Sequence, residues 1–148
     1  MIEIKEVKNK RDLRRFIKFP RKLYKNCPYY VPALDKAEEQ QLTRHPALAF
    51  CDLRLWTAWR DGKMVGRIAG LVNHRCNELK NQKRIRFAWF DTVEDPEVAR
   101  QLFQAVEDWG RSLGLSEICG PSRFSNMEKQ AMLVDGFDHI TKIGRAHV

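Results

Sequence analysis

Glu128 lies in the stretch GPSRFSNMEKQ, where Arg123, Ser125, Asn126 and Lys129 bring donors, acceptors and one carboxylate together. A carboxylate in such company can serve as a general base if burial raises its pKa. Arg123 and Asn126 would then hold the acceptor substrate. The same residues also have a purely structural reading, because Ser125-Asn126-Met127-Glu128 has the spacing of a capping box. Loops at strand ends commonly carry function, but they are also commonly just solvated.

A second stretch, WFDTVEDPEVARQLF at residues 89–103, runs a strand into a helix. In many coenzyme-binding proteins such a junction is rich in glycine and cradles a phosphate. Here it holds Asp91, Glu94, Asp95, Glu97 and Pro96, and no glycine. Asp95 suits an N-cap and Pro96 the first helical position. A third stretch is basic: ten Lys or Arg residues fall between Lys5 and Lys25 against two acids, Glu6 and Asp12. It is either a solvated helix face or an attractor of nucleic acid, acidic lipid or a polyanionic coenzyme.

Other chemistry finds no footing. His74 and His139 are lone histidines without metal-ligand spacing, so no metal site is expected. No Ser-His-Asp, zinc or nucleotide-loop motif is present. Cys27, Cys51, Cys76 and Cys119 lie far apart with no CxxC, the pattern of reduced, buried thiols in a cytoplasmic protein.

These stretches need a scaffold, and the composition supplies one. The chain has 148 residues, 43% hydrophobic and 31% charged, with a net charge of +8. That fits one globular domain. No apolar run approaches the roughly 20 residues that span a bilayer. MIEIKEV alternates and carries acids, unlike a signal peptide.

IEIKEV reads as a strand. Asn9 caps a helix with Asp12 as its reciprocal partner, Leu13, Phe16 and Ile17 share its apolar face, and Pro20 stops it. LYKNCPYYVPAL reads as an extended segment, with Tyr24, Tyr29 and Tyr30 either packing beneath it or lining a groove. A second helix covers Asp35 to Leu42. LRLWTAW and KMVGRIAGLVN are strands joined at Asp61-Gly62, a hairpin signal. Met64, Gly66, Ile68, Gly70 and Val72 share one face, and the two glycines leave room for a packed helix or, less favoured, a ligand. A polar loop with His74 and Cys76 leads to the strand RIRFAWFDTV. In the next helix Val98, Leu102, Val106, Trp109 and Leu113 form one apolar stripe. Gly114 takes the left-handed C-terminal position, with Leu115 folding back. SEICGP then forms a buried strand. The order implies an α+β fold with a mixed, mainly antiparallel sheet and flanking helices.

Residues 1–142 are expected to form one incomplete domain. Nothing caps the stretch after Gly120, which leaves a sheet edge open. Ile143 to Val148 match one reading frame of a common sequencing-adapter oligonucleotide, so they are expected to be a non-native tail. Arg145 and His147 then carry no function. The natural protein is expected to continue, and this fragment alone to be inactive.

Two-strand hairpin, third strand, helix, fourth strand is also the order at the centre of the GNAT N-acetyltransferase fold. FIKFPRKLYKNCPYYVPAL, DGKMVGRIAGLVNHRCNE, RFAWFDTVEDPEVARQLFQAVEDWGRSLG, ICGP and LVDGF resemble an uncharacterised bacterial family of GNAT-like proteins, from Met1 to about Asp138. The resemblance implies an acyl-CoA-dependent N-acyltransferase, with acetyl-CoA as donor and a small-molecule amine or peptide as acceptor. The pantetheine arm would lie along Asp91, Thr92 and Val93, and the pyrophosphate at the helix start near Val98, Ala99 and Arg100. The family's turn carries a basic or amide residue and spaced glycines. Here Glu94, Asp95 and Glu97 stand in those places, and only Ala99 fits as a small residue. Two like charges at 4 Å cost about 4 kcal/mol at an effective dielectric of 20. The junction therefore reads first as a capped helix start. Arg84, Arg86 or Arg100 could neutralise its carboxylates, or the basic N-terminal stretch could supply the phosphate clamp. A non-catalytic GNAT-like binding module is the alternative. Nucleic-acid binding through Arg14, Arg15, Lys18, Arg21 and Lys22 ranks last, for want of an ordered aromatic-basic motif.

Overall fold

A computed structural model of the protein describes residues 1–25 and 35–121. The alternating IEIKE segment forms β1 (Ile2–Glu6), paired antiparallel with β2 (Cys51–Arg60) so that Ile2 faces Arg60 and Glu6 faces Trp56. β2 turns at Asp61-Gly62 into β3 (Lys63–Asn73). Both turn residues have positive φ, 51° and 78°, as a type I′ hairpin requires. β4 (Arg84–Thr92) lies antiparallel to β3, and β5 (Glu117–Cys119) joins β4 in parallel. The strand order is β1-β2-β3-β4-β5, the mixed, mainly antiparallel sheet expected of the sequence.

Helices cover both faces. On one, α1 (Lys10–Leu23) and α2 (Asp35–Thr43) bury Phe16, Ile17 and Leu42 against Leu55, Ala69, Leu71, Ala88 and Trp89. On the other, α4 (Pro96–Ser112) buries Val98, Leu102, Val106 and Trp109 against Trp56, Ile68, Val72 and Ile85. Each fully buried aliphatic side chain contributes roughly 1.5–3 kcal/mol. Gly66 and Gly70 make the α4 contact possible. A Cβ on Gly66 would sit 2.8 Å from Leu102 Cδ1, and one on Gly70 3.0 Å from Trp56 and 3.1 Å from Trp109. Helix packing accounts for both glycines.

Several local expectations are met atom by atom. Asn9 Oδ1 accepts from the Asp12 N–H at 2.8 Å. At the end of α4 the Gly114 N–H donates to Arg111 C=O and the Leu115 N–H to Gly110 C=O, the two bonds of a Schellman motif, with Gly114 at φ 76°.

Others are corrected. Pro20 does not stop α1; the helix runs on to Leu23 with Pro20 buried inside it. A helix-interior proline costs about 3 kcal/mol, and burial of Phe16, Ile17, Phe19 and Pro20 offsets it. The loop with His74 and Cys76 is instead a short helix, α3 (His74–Leu79), because the Asn73 side chain accepts from the Cys76 N–H at 2.9 Å and caps it. Leu113 falls off the apolar stripe: it is the C-cap and is 44% exposed. β5 is not buried either. Ile118 is 38% exposed, because this short strand is paired with β4 along one edge. Of the cysteines expected to be buried, Cys51 is, while Cys76 and Cys119 are half-buried; all three are free. Tyr29, Tyr30 and Cys27 lie outside the described residues.

Candidate functional site

β4 and β5 pair over a short stretch. Their pairing covers Arg84–Glu117, Ile85–Ile118 and Arg86–Cys119. Gly120 still lies against β4, where a Cβ would stand 2.5 Å from the Phe87 carbonyl oxygen. From Ala88 to Thr92, no described strand pairs this edge of β4. This stretch of edge is followed by the start of α4 at Pro96. Phe87 and Phe90 of β4 meet Phe103 of α4 edge-on or tilted, at 4.9 and 4.8 Å between ring centres, and form an aromatic wall beside it.

β4 is also bulged within this stretch. Arg67 faces Asp91 but Ala69 faces Ala88, so β4 carries one residue more than β3. Trp89 takes φ 48° there. The bulge turns both Ala88 and Trp89 toward the α1–α2 side. The indole N–H of Trp89 donates to the buried Glu38 carboxylate on α2.

The residues expected to hold a coenzyme divide between the two faces. Asp91 looks toward α1: its Oδ2 accepts from Arg67 Nε at 2.9 Å and its Oδ1 from the Tyr24 hydroxyl at 2.9 Å. Arg67, 7% exposed, also donates to the Phe16 carbonyl at 2.8 Å. Thr92 Oγ1 donates to Val93 C=O at 3.1 Å, and the Val93 N–H reaches back to Val65 C=O on β3 at 3.0 Å. The Val98 side chain is fully buried toward Gly66. Ala99 is half-buried in the first turn, and Arg100 is exposed. Arg123, Asn126 and Glu128 lie outside the described residues.

At the helix tip the polar groups satisfy one another. Asp95 Oδ1 accepts from the Glu97 N–H at 2.9 Å, and Asp95 C=O from the Val98 and Ala99 N–H groups at 3.1 and 3.4 Å. Pro96 has no N–H to offer. Arg60, at the end of β2, donates to the other oxygen of Asp95. Arg100 and Gln101 both hold the Glu97 carboxylate, Arg100 Nε at 2.9 Å. Hydrogen bonding from Arg60, then from the Glu97 N–H, keeps the Asp95 carboxyl below its ordinary range. Hydrogen bonding from Arg100, then Gln101, holds Glu97 down to about 2.

Arg100 thus neutralises a junction carboxylate as expected. Arg84 and Arg86 do not: Arg84 holds Glu117 at 3.0 Å, and Arg86 donates to Cys76 Sγ at 3.4 Å. Arg60 takes that role, and no local pattern pointed to it, since it lies 35 residues from Asp95. Arg67 did carry a signal, a charged residue inside an otherwise apolar strand.

The architecture matches a known class. No family model matches the chain. In structure it resembles an acetyltransferase of the GNAT family from Staphylococcus aureus Mu50, with TM-score 0.57 and 15% identity, over 80% of this chain and 72% of that one. It also resembles a predicted acetyltransferase with acetyl-CoA from Clostridium acetobutylicum, with TM-score 0.56 and 10% identity, over 80% and 79%. The protein has a GNAT-like acetyltransferase fold. In sequence it is 33% identical over 131 residues to protein YghO of Escherichia coli (strain K12), covering 88% of this chain and 34% of that one. It is 32% identical over 136 residues to the bacterial ceramide synthase of Caulobacter vibrioides (strain NA1000 / CB15N), covering 89% and 35%. The chain spans about a third of the length of these curated relatives. No described helix is long and apolar enough to cross a membrane.

Proposed function

We propose that the whole protein is an N-acyltransferase that takes its acyl group from a pantetheine thioester, acyl-CoA, and forms an amide on an amine. The observation that carries this reading is the β4 edge that has no described partner strand beyond Arg86, beside a bulge and a helix start. An extended pantetheine arm fits such an edge, because its amides can pair with backbone groups as a further strand would. Asp91, Thr92 and Val93 would flank that arm. The relatives support the chemistry: the solved neighbours include acetyltransferases, and one curated relative is named a bacterial ceramide synthase. A long-chain amine acceptor is therefore part of the proposal, and the Phe87–Phe90–Phe103 wall supplies apolar surface for a chain.

The coenzyme would supply an activated acyl carbonyl. Glu128 is assigned to take the proton from the acceptor ammonium so that the neutral nitrogen can form the C–N bond as the C–S bond breaks. Arg123 and Asn126 are assigned to hold the acceptor. Val98, Ala99 and Arg100 are the residues nearest the donor's phosphates in this assignment. The α4 tip does not fit a diphosphate in the way usual for the fold: its first-turn donors are engaged and its side chains are acidic. The proposed setting is the cytoplasm, consistent with three free thiols among the described residues.

Calorimetry of acetyl-CoA and a long-chain acyl-CoA against the whole protein, with labelled acyl transfer to amines, tests the reading. Saturable heat and a labelled amide are expected, with turnover at least about a hundredfold lower in Glu128→Gln. No heat at millimolar ligand would overturn it. The occupied helix tip would then favour a second reading, a non-catalytic GNAT-like module that binds a ligand or partner.

A further inference from the structure

We propose that the trough between α1 and the β2–β3 turn is a seat for a small ligand carrying two or more phosphates. Arg11, Arg14, Arg15, Lys18 and Lys22 fall on one face of α1 by helical spacing, and Lys63 faces them from the turn. The stripe from Arg11 to Lys22 is roughly 16 Å long at helical rise. The trough has a volume of about 790 Å³. Phe19 forms its apolar floor and Trp59 one wall, with the Arg15 guanidinium 5.7 Å from the Trp59 ring.

Six cations line this one trough, and they are hardly balanced by acids. Among the described residues no carboxylate pairs with Arg11, Arg14, Lys18, Lys22 or Lys63, and Arg15 reaches Asp12 only at 3.9 Å. Elsewhere Arg54, Arg60, Arg67 and Arg100 each hold a carboxylate. Arg21, on the same helix, is turned away and pairs with Asp35 at 3.0 Å. Cations at this density repel one another, and an anion among them relieves that repulsion. Shape decides which anion. A trough of this volume is within the range of small-molecule sites. Its concavity does not suit the flat surface of a membrane, and its length is short for a nucleic-acid track.

The position also answers the closed α4 tip. α1 crosses the sheet from Trp59, where Arg15 lies, to β4, where Tyr24 meets Asp91. The cations therefore lead toward the end of β4 that has no described partner strand. Two sources of the phosphates follow: the nucleotide end of the acyl donor, an assignment that rests on the acyltransferase reading, or a separate nucleotide that does not.

The test is calorimetry on the whole protein at fixed ionic strength, with inorganic pyrophosphate as first probe, then ADP, coenzyme A and pantetheine. Pyrophosphate is expected to saturate, and Arg14→Gln/Lys18→Gln/Lys22→Gln to weaken it on the order of tenfold or more. Lys80→Gln/Lys83→Gln/Arg111→Gln removes as many charges outside the trough and should leave it unchanged. If the donor's phosphates sit here, the first variant weakens coenzyme A as much and pantetheine not at all. If a separate nucleotide does, ADP weakens and coenzyme A does not. Pyrophosphate binding with no coenzyme A binding keeps the trough and removes the acyltransferase reading. Equal pyrophosphate affinity in all three proteins, or none below about 10 mM, overturns the proposal. So does an affinity for single-stranded oligonucleotides that grows with their length and outcompetes pyrophosphate.

Discussion

Arg60 donates to Asp95, so the last residue of β2 is fastened to the N-cap of α4. With Asp95 Oδ1 already on the Glu97 N–H, the carboxylate joins the hairpin to the helix. Asp95→Ala removes both contacts and is expected to lower Tm by several degrees. Asp95→Asn keeps an oxygen for the cap and should recover about half of the loss. Thermal melts of the two variants and of Arg60→Gln separate the cap from the ion pair.

The junction also sets an acid limit. Glu97 has its pKa depressed in the folded state, to about 2. Its contribution is thus fully present above the unfolded glutamate range and is lost as pH falls toward 2. Asp95 acts in the same direction. Because both pairs meet solvent, high salt should weaken the effect. Stability curves between pH 6 and pH 2, wild type against Glu97→Gln, are expected to converge at the acid end.

Arg67 and Asp91 form a different kind of pair. Arg67 is buried, so Asp91→Ala leaves a charge without its partner and should cost about 3–5 kcal/mol. Replacing both, as Arg67→Met/Asp91→Leu, should recover most of that in denaturant titration. If Asp91→Ala instead weakens only coenzyme binding, its role is at the ligand and not in the pair.

Gly70 is enclosed by aromatic rings. Gly70→Ala places a methyl 3.0 Å from Trp56 and 3.1 Å from Trp109, and the loss expected is about 1–3 kcal/mol. Gly62→Ala meets no atom within 4 Å and fails only on its positive φ, so a milder loss is expected there. Urea unfolding of each variant checks the order.

Cysteine reactivity should follow burial. Desolvation pushes the Cys51 thiol up to about 11, against the opposing pull of Arg86. A disulfide reagent near pH 8 is expected to modify Cys76 and Cys119 in the native protein and Cys51 only after unfolding. Mass mapping of the labelled peptides reports the sequence of events.

Most of the scaffold was legible because its signals were local. Asp61-Gly62 marked the hairpin, Val98 to Trp109 marked the buried face of α4, and Gly114 marked its end. Pro20 misled because a local rule was outweighed by the burial of Phe16 and Phe19. The site was less legible because its contacts join distant segments. Tyr24 and Asp91 stand 67 residues apart, and Trp89 and Glu38 stand 51 apart. Nor does composition reveal that five of the N-terminal cations line one trough while Arg21 turns away.

The extra residue in β4 makes that strand sensitive to length as well as to composition. Alternation assigns side chains to faces by odd and even position, and the irregularity at Trp89 resets the count. Deleting Trp89 would restore an unbroken ladder and leave Asp91 opposite Arg67 on the α1 side, but would remove the indole that reaches Glu38. The extra residue therefore serves the tie between β4 and α2, and the Arg67–Asp91 pair on the same face does not depend on it.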